Sequence, residues 1–367
     1  MGTGIYDVVV IGGGIIGLSI ARELAGRKSV LLLDRGATGQ GTSRAAAGML
    51  SPLSEADDQD PFFDLCRAGL AMYDQFIQEL KEESGLDVGY STEGLLFLAS
   101  SEDSAATLRR RYEWQRKSRF NIELLGADAV HKMEPLVTAP ILNALFMPDE
   151  RSVAPRRLVN AIREACFQRG VEIRTGIHVD AIAPNTVCFG HTMIDASSII
   201  VASGVWSAEF EGVKPRIPVS PRKGQILSLG MPTGAFRRMI RWEHSYFVPR
   251  STGELVVGAT NEDVGFDLSV TPAGLGRLLV DAQAISSHVG CYPILETWTG
   301  LRPATPDGLP IIGASEVPGV YYATGHYRNG VLLAPITAAI MADLLEDREP
   351  SVDIKPYRPS RFEQNAG

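Results

Sequence analysis

The chain has 367 residues, 45% hydrophobic and 21% charged, an ordinary globular balance long enough for two domains. Its formal net charge of −8 speaks against a nucleic-acid phosphate backbone as partner. Cys66, Cys166, Cys188 and Cys291 are widely spaced, and with six scattered histidines they give neither a disulfide framework nor a metal spacing. Buried free thiols and no metal are expected.

The opening stretch MGTGIYD carries no Lys or Arg before the apolar run, unlike a signal peptide, and Tyr6 stands where a myristoylated Gly2 wants Ser or Thr. No apolar run approaches the ~18 residues that span a bilayer, so a cytoplasmic protein without a membrane partner is expected. Tyr6 to Ile11 (YDVVVI) reads as a strand buried on both faces. Gly12, Gly14 and Gly17 then give G-x-G-x-x-G, with a helix predicted to about Leu24. Ser29 to Asp34 (SVLLLD) is a second strand, ending in an acid 22 residues after Gly12. Gly12 permits a tight turn, Gly14 lets the backbone approach a pyrophosphate, and Gly17 lets helix and strand pack closely. The helix start faces phosphates with its positive dipole end, while Asp34 accepts from ribose hydroxyls. The spacing predicts a dinucleotide site.

In GTSRAAAGML, residues 41 to 50, Thr42 and Ser43 can meet phosphate oxygens, and Ala45 to Gly48 leave room for a flat ring. An amphipathic helix is predicted from Phe62 to about Glu83, and strands at Gly94–Ala99, Gln225–Leu229, His244–Pro249 and Glu254–Ala259. The turn at 250–254 marks a hairpin. The basic run Arg109 to Arg119 reads as a solvated helix face. Pro155 to Gly170 is a helix, with strands at Val171–Arg174 and Ser198–Ala202. Late in the chain, Val320 to Thr324 is a strand and Gly330 to about Leu345 a helix.

GGGIIG, GTSRAAAGML, ASGVWS, GLRP-x-T-x-DG-x-P-x-IG and GHYRNGVLLAP occur in this order along nearly the whole chain. Together they resemble the glycine oxidase branch of the FAD-dependent D-amino-acid oxidases. Asp34 departs from the Glu more usual in that family. The resemblance implies an α/β architecture of the GR2 type. A Rossmann-like FAD-binding domain would take residues 1–88, 151–217 and 299–367, and a mostly antiparallel substrate domain 89–150 and 218–298. It implies non-covalent FAD held by Gly12, Gly14, Ile15, Ile16, Gly17, Asp34, Arg35, Thr42, Ser43, Ala47, Gly48, Met49, Val179, Ser203, Gly204, Trp206, His326, Tyr327, Asn329, Gly330, Val331 and Leu332.

A reduced flavin carries negative charge on one ring edge, which free N–H groups and a helix dipole at 325–330 would stabilise. Arg328 stands just outside that helix, facing the substrate. The planar fork of Arg302 suits a carboxylate, although a structural salt bridge would use it equally well. The resemblance favours the carboxylate. His244 and Tyr246 are expected on one face of a strand, with Tyr246 donating to the same carboxylate. No side chain is obligatory for the chemistry, which the cofactor carries.

The implied activity is oxidative deamination of glycine, sarcosine or small D-amino acids to a 2-oxo acid, ammonia or amine, and hydrogen peroxide, serving thiamine thiazole formation. A homo-oligomer, tetrameric by resemblance, is expected. The residues leave open a dehydrogenase that passes electrons to a carrier, or a flavin-binding scaffold. Asn261, if it lines the pocket, would shift preference toward a more polar amine.

Overall fold

The computed structural model describes residues 6–210 and 212–365, so Gly2 and the start of MGTGIYD lie outside the described residues. Two sheets organise the chain. The first contains the parallel strands Val320–Thr324, Thr192–Val201, Tyr6–Ile11, Val30–Asp34 and Glu172–Thr175 in that spatial order, with Ile311–Ala314 antiparallel at one edge. Its central residues Val8 to Ile11 and Leu31 to Leu33 are buried, as a parallel sheet covered on both faces requires. Helices Ile15–Leu24, Pro155–Gln168 and Ala334–Leu345 cover one side.

The second sheet runs Ile294–Ala304, Ser220–Gly230, Glu254–Gly258, Ser245–Pro249, Met239–Trp242, Leu95–Ala99, Asn143–Met147 and Glu123–Leu125. All pairs are antiparallel except Met239–Trp242 with Leu95–Ala99. Helix Pro272–Ile285 packs through Leu278, Ala282 and Ile285 on one face, against Leu227, Phe247 and Val257. The opposite face turns toward the first sheet. Residue 299 falls inside the strand Ile294–Ala304, so Arg302 belongs to the second sheet.

The expected helix from Phe62 to Glu83 is two helices, Pro61–Ala71 and Tyr73–Ser84. At Met72 the ladder tightens to an N–H bond onto Gly69 O at 3.2 Å, and Gly69 itself lies against the Leu332 carbonyl, where a Cβ would come within 2.8 Å. The late helix begins at Ala334 rather than Gly330. Pro335 has no N–H to donate and sits in the first turn. Of the cysteines, Cys66 and Cys166 are buried as expected. Cys188, on an edge hairpin, is half-buried, and Cys291, in a short surface turn, is exposed.

Candidate active site

A cavity of about 820 Å³ opens between the two sheets. At one end the glycine turn crosses from Tyr6–Ile11 into the helix at Ile15. A Cβ on Gly12, at φ 110°, would stand 2.6 Å from Ala202 O, and one on Gly17 would stand 1.9 Å from Gly12 O. These contacts leave no room for a side chain, so backbone alone forms the wall. Ile15 N donates to Ser43 Oγ at 2.9 Å, while Gly14, Ile16 and Gly17 N–H have no acceptor among the described residues. Asp34 accepts from Gly13 N at 2.6 Å and Gly36 N at 2.7 Å. Its short side chain is therefore fixed against the turn, with lone pairs left for a ribose. Arg35 lies 3.5 Å over the Trp206 ring, and Val179 closes the same end.

Along the cavity runs the GTSRAAAGML segment, pinned from the second sheet. Trp298 Nε1 donates to Ala45 O at 3.1 Å, and Arg250 donates to Ala47 O and, at 2.9 Å, to Val153 O. Thr42, expected to face phosphate, instead donates its hydroxyl to Leu301 O, because this segment lies against the strand Ile294–Ala304. Ser43 keeps its proton free. Of the residues implied for the cofactor, all line the cavity except Gly17, packed behind the turn, and Leu332, buried in the core.

At the far end, Gly325 and Tyr327 adopt φ 72° and 47°, turning the chain sharply before the helix. Tyr327 N bonds Pro303 O and Asn329 N bonds His326 O, whereas Arg328, Gly330, Val331 and Leu332 N–H have no acceptor among the described residues. This is a set of unsatisfied donors at a helix start. His326 is buried, with Nε2 3.1 Å from Thr337 Oγ1. Burial presses its pKa down to about 3, so the ring is neutral.

The second sheet supplies the floor. Phe97, Arg241, Tyr246, Gly258, Ile226 and Trp298 are cross-strand partners in one row, so they share a face. Two glycines clear this face. A Cβ on Gly258 would lie 2.4 Å from the Tyr246 hydroxyl, and one on Gly224 would lie 2.3 Å from Arg302 Nη2. Arg302 Nη1 donates to Thr260 O at 3.1 Å, and no carboxylate pairs with it among the described residues. Tyr246 OH likewise has no partner among them, and burial raises its pKa, keeping the phenol protonated. Two oriented donors therefore face the cavity, one of them an uncompensated cation.

Two expectations change here. His244 is not on the strand with Tyr246; it occupies the exposed two-residue turn Glu243-His244, closed by the Trp242–Ser245 pair, at the cavity mouth. Arg328 also lines the mouth, but it pairs with Glu55 at 2.8 Å and is half exposed. Asn261 lines the cavity and accepts from Tyr327 OH at 3.4 Å. Glu55 and Arg241, 2.5 Å apart, were not legible in sequence, since Glu55 stands in a polar stretch and Arg241 in a short strand without a motif.

The model of the FAD dependent oxidoreductase family, DAO, matches residues 7–344. The bifunctional protein ThiO/ThiG of Synechocystis sp. (strain ATCC 27184 / PCC 6803 / Kazusa) is 36% identical over 97% of this chain and 54% of its own length. The chain thus spans about half the length of such bifunctional relatives. The crystal structure of glycine oxidase from Geobacillus kaustophilus superimposes with a TM-score of 0.94 at 32% identity, covering 98% of this chain and 99% of that one. Iminodiacetate oxidase from Chelativorans sp. BNC1 gives a TM-score of 0.88 at 27% identity, over 96% and 98%. The glycine turn, Asp34 and the unsatisfied N–H set fit FAD, and the chain belongs to the DAO family of FAD dependent oxidoreductases.

Proposed function

We propose that the protein is an FAD-dependent oxidase of glycine, sarcosine or small D-amino acids, serving thiamine thiazole formation. The observation that carries this reading is the Arg302 guanidinium, unpaired among the described residues and aimed over Gly224 beside Tyr246. Arg302 forks the substrate carboxylate, and the Tyr246 hydroxyl donates to one of its oxygens. This fixes the α-carbon against the cofactor's place in the cavity. FAD bound there supplies a two-electron acceptor that O2 reoxidises, yielding hydrogen peroxide.

The backbone N–H groups of Arg328, Gly330 and Val331 stabilise negative charge at their end of the cavity. Neutral His326 adds no competing charge there. The imine released after oxidation takes up water, giving the 2-oxo acid and ammonia, or an amine from an N-substituted substrate. In this reading residues 1–88, 151–217 and 299–367 hold FAD, while 89–150 and 218–298, joined by Arg302, bind substrate. A homo-oligomer belongs to the same reading, supported by the exposed apolar side chains Val280, Ile294 and Leu295. Light scattering that finds only monomer removes it.

Mixing the purified yellow protein with glycine under anaerobic conditions, then admitting air, tests the activity. Bleaching followed by return of colour and peroxide is expected. Bleaching that air does not reverse identifies a dehydrogenase using a carrier, and absence of bleaching with glycine, sarcosine and D-alanine overturns the reading.

A further inference from the structure

Tyr73 begins the helix Tyr73–Ser84, no residue of which lines the cavity. Its side chain is wholly buried, with the Tyr90 ring stacked at 6.3 Å and the Phe76 ring edge-on at 5.8 Å. Its hydroxyl donates to the Val331 carbonyl, 258 residues along the chain. Burial holds the phenol pKa well above its ordinary value, so this donor keeps its proton.

Val331 O needs a donor from outside its own segment. In a continuing helix its partner would be the N–H of residue 335, and residue 335 is proline. Within its own turn it receives only the Ala334 N–H, at 3.3 Å. A buried carbonyl met so weakly is costly, and Tyr73 completes its pairing. The peptide between Val331 and Leu332 is trans, so its C=O and N–H point in opposite directions. Fixing the carbonyl on Tyr73 therefore turns the Leu332 N–H away from that helix. Beside it Gly330 and Val331 line the cavity, their N–H groups also without acceptors among the described residues. The next carbonyl, of Leu332, is seated from the same side against Gly69, where a Cβ would come within 2.8 Å.

We propose that Tyr73 is a positioning residue for the donor set at 330–332, holding these N–H groups open toward FAD so that the bound cofactor is more readily reduced. The assignment rests on the reading of these groups as stabilisers of negative charge in the cavity. Tyr73 touches neither substrate nor cofactor, and acts only through the peptide it holds.

The test measures the midpoint potential of the FAD-loaded parent, Tyr73→Phe and Tyr90→Phe by equilibration with a reference dye. Tyr73→Phe keeps the ring packing and removes only the donor. One hydrogen bond corresponds to roughly 2- to 10-fold in an equilibrium constant, so reduction of FAD in Tyr73→Phe should be disfavoured by that factor. For a two-electron couple this is a fall of about 10–30 mV. Tyr90 donates to Asp74 at 2.8 Å instead, so Tyr90→Phe should keep the parental potential. The double variant Tyr73→Phe/Pro335→Ala supplies an N–H at residue 335 and should regain much of the loss. Where Tyr73→Phe fails to fold or to load FAD, the double variant should do both.

An unchanged potential in Tyr73→Phe, even with a lower melting temperature, leaves Tyr73 a packing residue and overturns the assignment. An equal fall in Tyr90→Phe overturns it too, as does a double variant no better than Tyr73→Phe in folding or in potential. The potential is read without substrate. A protein that shows the shift yet oxidises no amine keeps the positioning role and loses the oxidase reading.

Discussion

Arg302 reaches its position because Gly224 has no side chain. The two residues stand on adjacent strands, and the guanidinium lies where a Cβ of residue 224 would be, 2.3 Å from Nη2. Removing one partner of a buried charge pair costs about 2–5 kcal/mol, so Arg302→Ala should lower kcat/KM for glycine roughly 30-fold to several thousand-fold. Arg302→Lys keeps the charge, loses the fork and recovers only part. FAD should stay bound in both, since the glycine turn lies at the other end of the cavity, and retained yellow colour after gel filtration checks this.

Gly224→Ala separates geometry from chemistry, because every catalytic side chain remains. The added methyl pushes the flexible end of Arg302 aside, so folding stability should change little. A misplacement of about 1 Å can cost on the order of 100-fold in rate, and kcat/KM should fall accordingly. A Gly224→Ala enzyme with parental kinetics would show that Arg302 does not bind substrate from this position.

At the scale of the element, the short turn Pro52–Glu55 presents Glu55 to both mouth arginines, and its support is a buried acid. Glu150 is fully buried, with Oε1 accepting from Leu53 N and Oε2 without a partner among the described residues. Burial raises its pKa well above the usual carboxylate range. The folded state therefore holds this proton more tightly than the unfolded state does. Its contribution to stability is complete below the unfolded value and declines as pH rises toward the folded one. Glu150→Gln keeps the acceptor for Leu53 N and removes the titration. Thermal unfolding should show the variant gaining on the parent between pH 5 and pH 8, and a constant difference across that range would refute the assignment.

Legibility in the sequence follows the same division. Gly12, Gly14, Gly17 and Asp34 could be read because their roles are fixed within one strand-turn-helix unit. Tyr246 and Arg302 could be named, but not the glycines beneath them, since Gly224 and Gly258 matter only once strand register is known. Glu55 and Arg241 are 186 residues apart in the chain, and no local pattern announces such a pair. His244 was misplaced for the opposite reason, because alternation suggested a strand where a two-residue turn closes.

Across the whole molecule, the cavity is walled by both sheets. The glycine turn and the donors at 328–332 come from one sheet, while Arg302, Tyr246 and Arg241 come from the other. A ligand filling this space contacts both and adds to the cohesion between them. FAD is expected to be held by these contacts alone, since His326, the histidine in the implied cofactor set, has Nε2 engaged by Thr337 and lies buried. Acid precipitation should release all the yellow colour into the supernatant, and colour kept in the pellet would mean a covalent bond. Stripped protein should unfold at a lower temperature than the loaded form, with the gap growing as free FAD is added. At a hundredfold excess over Kd, binding contributes about 2.7 kcal/mol, on the order of 4 °C for a chain of this length. The gain should appear both in far-ultraviolet dichroism and in tryptophan fluorescence, because Trp206 lies beside the glycine turn and Trp298 on the substrate sheet. If neither probe's transition moves with FAD, the cofactor does not bridge the two sheets, and the cavity does not close on it from both sides.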